Sequence, residues 1–185
     1  MESFLEKAVK RVRDFFNPDV TLSQATQSIF TPFVPEQELR AWLEQNYEIT
    51  ESHASKIINQ YQNGDYKLVV YDLQHSAIDK YLRDKGYLST LLEKYSSEEM
   101  IDDYGDFDHD KYRKVVIKFI KARVYELQVL FYTLPVSAPR QVTSALQSIK
   151  ETNEGYQQVT GDNVFYQDVA EIIINCVEEA ELDDE

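Results

Sequence analysis

The chain has 185 residues, a length at which one compact domain buries roughly 70% of the surface that its unfolded form exposes. Hydrophobic residues make up 43% of it and there are only 5 Gly and 5 Pro, which excludes collagen-like and low-complexity classes. The formal net charge of -14 repels phosphate backbones, so we do not expect direct nucleic-acid binding.

Cys176 is the only cysteine, so the chain cannot form an internal disulfide, and a reducing compartment is expected. The first residues carry charges throughout and lack the apolar run of a secretory signal. No apolar stretch approaches the ~20 residues that a membrane span needs. We therefore expect a cytoplasmic protein that does not span a membrane.

The spacing of apolar residues predicts an all-α fold, a compact bundle of about eight helices. We expect a single helical domain over residues 1–180 and an acidic tail at 181–185. The first two helices are predicted over 4–16 and 21–30. A third follows Pro35, and a fourth begins at Thr50 or Ser52 and stops at Asn63-Gly64.

The segment at 66–71, YKLVVY, is rich in β-branched and aromatic residues, as strands are. A helix is favoured there, because no second strand is evident to pair with it and one face continues through residues three and four apart. The residues of that face are Tyr66, Val70, Leu73, Ala77 and Tyr81.

The second half of the chain continues the helical pattern. A short helix is predicted around Leu88 to Leu92, then a capping box of Ser96 with Glu99. A long central helix is predicted from Lys111 to Leu134. The next helix is expected to end at 153–155, and Asp162 is expected to cap the last one, which runs to Ala180.

The densest charge feature is the segment 98–110, in which seven of thirteen side chains are carboxylates. An EF-hand loop is excluded, because Lys111 stands where the loop needs glycine. Helix capping before Lys111 accounts for several of the carboxylates.

A metal-dependent phosphohydrolase is an alternative interpretation of these carboxylates. Glu99 and Asp102 are three residues apart, and Asp168 and Glu171 repeat that spacing on the last helix. Carboxylates on facing helices can hold Mg²⁺ against a substrate's phosphates.

Two charged stripes lie on the predicted helices. The basic stripe is Lys111, Lys114, Lys118 and Lys121, with Arg113 and Arg123 beside it, and together these hold six of the 19 positive charges. The acidic stripe, on the last helix, is Asp168, Glu171, Glu178 and Glu179. We hypothesise that they face each other, either within the fold or across a homodimer.

Other chemistry-bearing residues suggest no catalytic apparatus. His53 and His75 are expected to be surface helix residues, and Cys176 a buried hydrophobic residue. The sequence has no Ser-His-Asp spacing, glycine-rich phosphate loop, HExxH or CxxC motif. We predict no cofactor.

These patterns predict a non-enzymatic protein-binding module, such as an inhibitor, an immunity-type protein or an adaptor, that engages a protein with a basic surface. A structural subunit of a larger assembly is a second alternative, beside the phosphohydrolase. The predicted partner-binding residues are Asp102, Asp103, Asp106, Asp108, Asp110, Glu178, Glu179, Lys114 and Lys118.

Overall fold

The computed structural model describes residues 34–183, so the helices predicted over 4–16 and 21–30, and the last two residues of the tail, lie outside the described part. Residues 34–183 form eight α-helices, one 3-10 turn and no β-sheet, which confirms the all-α prediction. The helices are α1 (Glu36–Asn46), α2 (Glu51–Asn63), α3 (Tyr66–Asp84), α4 (Tyr87–Tyr95), α5 (His109–Ala122), α6 (Val124–Tyr132), α7 (Arg140–Thr160) and α8 (Val164–Asp183). The 3-10 turn is Glu98–Met100.

Within the described residues, those from Arg40 onward belong to one compact unit, with α3 and α8 at its centre. Helix α8 packs against α5, α3 and α4, and α3 also packs against α2, α6 and α7. Large apolar side chains fill the space between them, including Ile78, Leu82, Tyr112, Ile120, Leu127, Ile172 and Val177. No described helix has the length and apolar character required to cross a membrane.

The segment 66–71 is helical, as predicted, because it forms the start of α3. Of the predicted inward face, Val70 and Leu73 are buried, while Tyr66, Ala77 and Tyr81 are only half-buried. Buried side chains are found on several sides of α3, because several other helices pack against it. Even Gln74 is buried, and its Nε2 donates to the Phe131 carbonyl at 2.8 Å.

The limits of α2 agree with the prediction. Thr50 precedes the helix and its hydroxyl accepts a hydrogen bond from the His53 backbone N–H at 3.2 Å. Gly64 closes it with φ 83°, a left-handed conformation that glycine adopts without a steric penalty.

The predicted long helix from Lys111 to Leu134 is wrong, because the chain leaves helical geometry at Arg123. The Arg123 N–H bonds to the Ile120 carbonyl, which tightens the last turn of α5. Its guanidinium lies 4.1 Å from the Phe119 ring centroid and 4.2 Å from that of Tyr87. These cation–π contacts hold Arg123 at the break between α5 and α6.

Three further boundaries differ from the predictions. Helix α7 continues through Gly155 to Thr160 and ends at Gly161. Helix α8 begins at Val164, so Asp162 lies two residues before it and is not its cap. The Ser96 hydroxyl donates to the Leu92 carbonyl rather than forming a capping box.

Candidate functional site

The acidic loop, residues 98–110, has a backbone that is fixed by one of its own carboxylates. Asp102 Oδ1 accepts hydrogen bonds from the backbone N–H groups of Tyr104 and Asp106, both at 2.9 Å. The Asp102 N–H donates to the Asp106 carbonyl, and Gly105 takes φ 90° at the turn. Asp102 therefore shapes the loop.

Two more carboxylates of the acidic loop have structural partners. Asp108 caps α5, since its Oδ1 accepts from the Lys111 N–H at 2.9 Å. Glu99 forms an ion pair with Lys94, and that hydrogen bond lowers the pKa of Glu99.

The base of the acidic loop is anchored by aromatic rings. The Phe107 ring centroid lies 4.4 Å from that of Tyr95 and 5.8 Å from that of Tyr112. Met100 is buried beside them in the core. The loop is thus fixed both by its own hydrogen bonds and by its attachment to α4 and α5.

The outer side of the acidic loop is open to solvent. Tyr104, at the turn, is 91% exposed, and Ile101 is 46% exposed. The side chains of Asp103, Asp106 and Asp110 are exposed and take part in none of the hydrogen bonds or ion pairs of the described residues. An aromatic ring and three uncommitted carboxylates therefore face the solvent together.

The two predicted partner-binding acids of α8 lie in different surroundings. Burial raises the pKa of Tyr95, whose ring packs on Phe107 at the base of the acidic loop, and the charge of Glu178 raises it further. Glu179 Oε2 lies 3.8 Å from His75 Nε2, in a separate cleft. The structure thus associates Glu178, but not Glu179, with the loop.

Lys114 and Lys118 are exposed on α5. Helices α5 and α8 pack closely, yet no ion pair between described residues joins the basic stripe to the acidic stripe. The two helices instead contribute Tyr112, Val116, Ile173 and Val177 to one apolar core. The intrachain form of the stripe hypothesis is therefore not observed in the described part of the chain.

The four carboxylates of the metal alternative do not meet at one site, although the charge of Glu171 acts on Asp168 of the same helix. Glu99 pairs with Lys94 and Asp102 forms the loop turn, whereas Asp168 lies near Asn153, with 3.5 Å between Oδ2 and Nδ2. Burial raises the pKa of Asp168. Within residues 34–183, no group of three or more His, Cys, Asp or Glu side chains could hold a metal ion.

A polar cleft of about 560 Å³ lies among α2, α3 and α8, and sequence analysis did not predict it. On one side Asp72 accepts a hydrogen bond from Lys56 Nζ at 2.9 Å, and His53 Nε2 lies 3.8 Å from the same oxygen. Burial by itself would raise the pKa of Asp72, but the nearby His53 imidazole and the hydrogen bond from Lys56 outweigh it and lower the pKa to about 2. Asp72 is therefore ionised at neutral pH.

The other side of the cleft holds His75, whose side chain is only 14% exposed, so the prediction of a surface residue is wrong for it. His75 Nε2 lies 3.8 Å from both Cys176 Sγ and Glu179 Oε2. Cys176 is buried, as predicted, and burial raises the pKa of its thiol, which keeps it protonated. Imidazole–carboxylate pairs of this kind can bind polar ligands and exchange protons.

One signal in the sequence could have revealed the cleft. Asp72, His75, Ser76 and Asp79 recur at helical spacing on α3, and all four line it. A polar stripe on a helix that several neighbours pack against indicates a polar cavity. The partners on α8, such as Asn175, are about a hundred residues away in sequence, beyond the reach of local patterns.

Comparisons with protein-family models, with curated proteins and with solved structures found no match to this chain. The acidic loop, the basic stripe and the polar cleft are therefore the features from which a function can be proposed.

Proposed function

We propose that this chain is a non-enzymatic, cytoplasmic protein-binding module that engages a basic partner through the acidic loop. The observation that carries the proposal is the exposure of Tyr104, 91%, at the tip of a loop whose backbone is held by Asp102. Asp103 and Asp106 flank that ring and are free to pair with lysine or arginine side chains of a partner.

The chemistry of the loop suits protein recognition. Tyrosine supplies a large contact area at a small cost in side-chain entropy, and it is frequent at binding hot spots. A loop that is already ordered loses less conformational freedom on binding. The surrounding carboxylates would accelerate encounter with a basic partner and would disfavour acidic ones.

The individual acids have different roles in the proposal. Asp102 and Asp108 act by shaping the loop and starting α5, respectively. Asp103, Asp106 and Asp110 are proposed to contact the partner, and Glu178 to add to the negative field at the loop base. Inhibitors, immunity-type proteins and adaptors are the classes in which such charge matching operates.

The proposal is tested by a pull-down with the tagged chain from its native cell, at low and at moderate salt, with bound proteins identified by mass spectrometry. We expect one dominant basic protein that is released as the salt concentration rises. A partner that is retained at fixed stoichiometry and does not respond to salt would instead favour the structural-subunit alternative.

Matched variants then localise the contact. Y104A and D103N/D106N should each weaken binding by about tenfold or more. The control E44Q/D162N removes two exposed carboxylates from sites outside the loop and should leave binding within about twofold of the original. Equal binding by all variants would contradict a contact through the acidic loop.

A further inference from the structure

An open groove of about 580 Å³ lies between α4 and α5, on the side of the basic stripe. Its floor is apolar, formed by Leu91, Val115 and Phe119, and its rim is basic, with Lys94, Lys118 and Arg123. Glu93 is the single acidic residue among those that line it. The groove thus combines an apolar surface with positive charge.

The described residues form ion pairs with only some of the cations around the groove. Lys94 pairs with Glu99, and Arg123 lies against Phe119 and Tyr87. Lys114 and Lys118, however, form no ion pair with any described residue. Lys118 therefore lies exposed beside an apolar floor with no ion pair among the described residues, and Lys114 lies one helical turn before it on α5.

The end of α8 has the complementary composition. Leu182 is 73% exposed, although it is a large apolar residue. Glu179, Glu181 and Asp183 surround it in the sequence, so this segment presents one apolar side chain between carboxylates. Such a segment matches a groove with an apolar floor and a cationic rim.

We infer that the groove receives the end of α8, residues 179–183, from a second copy of this chain. The basic stripe pairs with no acid of α8 within the described residues, and in the homodimer it would meet the carboxylates at the end of α8. Leu182 of the partner subunit would cover the apolar floor, and the carboxylates beside it would approach Lys114 and Lys118. Where a two-fold axis relates the copies, each supplies a groove and a helix end, and the exchange closes at two copies.

The contact area between one helix end and one groove is small, and this limits the affinity of the dimer. A stable interface buries on the order of 1,200–2,000 Å², more than one helix end and one groove provide. We therefore expect weak self-association, with a Kd on the order of tens of micromolar, that weakens further as salt screens the charges. A reversible, concentration-dependent dimer is the specific expectation.

The first test is analytical ultracentrifugation of the full chain over a wide concentration range at low and moderate salt. K114E/K118E should weaken dimerisation by about tenfold or more, and so should L182S. The control K67E reverses an exposed lysine of α3 that does not line the groove, and it should leave the Kd within about twofold. Circular dichroism and thermal melting confirm that each variant is folded.

A charge-swap experiment identifies the two sides of the contact. E181K/D183K alone should also weaken dimerisation, whereas a mixture of E181K/D183K with K114E/K118E should restore association between the two variants. Failure of the mixture to associate would overturn the pairing of these surfaces. The inference itself would be overturned by a chain that remains monomeric at every concentration. It would also be overturned by a dimer whose Kd changes with neither K118E nor L182S.

The inference is independent of the proposed function at the acidic loop, and the experiments separate them. D103N/D106N should leave the dimer unchanged within about twofold, because neither residue lines the groove. K118E should leave capture of the basic partner by the acidic loop unchanged. An acidic partner protein that binds the groove in place of a second copy would count against self-association.

Discussion

Lys56 Nζ donates a 2.9 Å hydrogen bond to Asp72, a carboxylate whose side chain is only 8% exposed although it lies on the rim of the polar cleft. The pKa of Asp72 is lowered from 3.8 to about 2 in the folded chain. A lowered carboxylate pKa stabilises the fold above the unfolded pKa, and this stabilisation is lost as the pH falls through the folded pKa. We expect the contribution of Asp72 to disappear between about pH 4 and pH 2.

The variant K56M tests that relationship. Removing the ammonium group should lower the free energy of unfolding at pH 7 by about 1 kcal/mol, because the buried carboxylate loses its closest donor. The difference from the unsubstituted chain should shrink as Asp72 becomes protonated. Urea unfolding at neutral and acidic pH measures it, and a difference that does not vary with pH would contradict the assignment.

Asp102 should affect the acidic loop without contacting the partner. D102A removes the acceptor of two backbone hydrogen bonds, so we expect faster amide exchange at Tyr104 and Asp106 and a loss of stability of about 1 kcal/mol. D103A, one residue further along, should change neither the amide exchange rates nor the stability. Hydrogen exchange followed by mass spectrometry distinguishes the two variants, and equal exchange rates would show that the loop does not depend on Asp102.

The helix caps provide a matched pair. Asp108 accepts the Lys111 N–H at the start of α5, so D108A should reduce the free energy of unfolding by about 1 kcal/mol. Asp65 occupies the same position before α3, but its side chain makes no capping hydrogen bond. D65A should therefore reduce the free energy of unfolding by clearly less than D108A does. Thermal unfolding of both variants checks this, and similar losses would refute the difference in capping.

Alanine substitution should have opposite effects on the stability of the fold at two glycines of the α7 region. Gly155 is helical, and a Cβ there would meet no atom within 4 Å, so G155A should stabilise the chain by about 0.5–1 kcal/mol. Gly161 has φ 72°, which alanine tolerates poorly, so G161A should destabilise it by about 1 kcal/mol. A melting temperature that shifts in the same direction for both variants would contradict the described path of α7.

The sequence by itself determined the elements that depend on neighbouring residues. The cap at Thr50, one of two that the sequence allowed, the left-handed stop at Gly64 and the burial of Cys176 all follow from groups within one or two helical turns. The choice of helix over strand for 66–71 also came from local spacing. These predictions succeeded because hydrogen bonding and apolar periodicity act over short distances along the chain.

Only the tertiary structure decided the features that join distant segments. Arg123 interrupts the predicted long helix where its guanidinium meets Tyr87 of another helix, and the single irregular residue leaves the apolar periodicity nearly intact. His75 lies 3.8 Å from Cys176 Sγ and from Glu179 Oε2 because α3 packs against α8. Likewise, the sequence placed basic and acidic stripes on two helices, but packing turned the apolar faces of those helices toward each other and left Lys114 and Lys118 in solvent. Burial of apolar surface dominates the docking of helices, whereas exposed ion pairs contribute little, so charge patterns alone could not fix their arrangement.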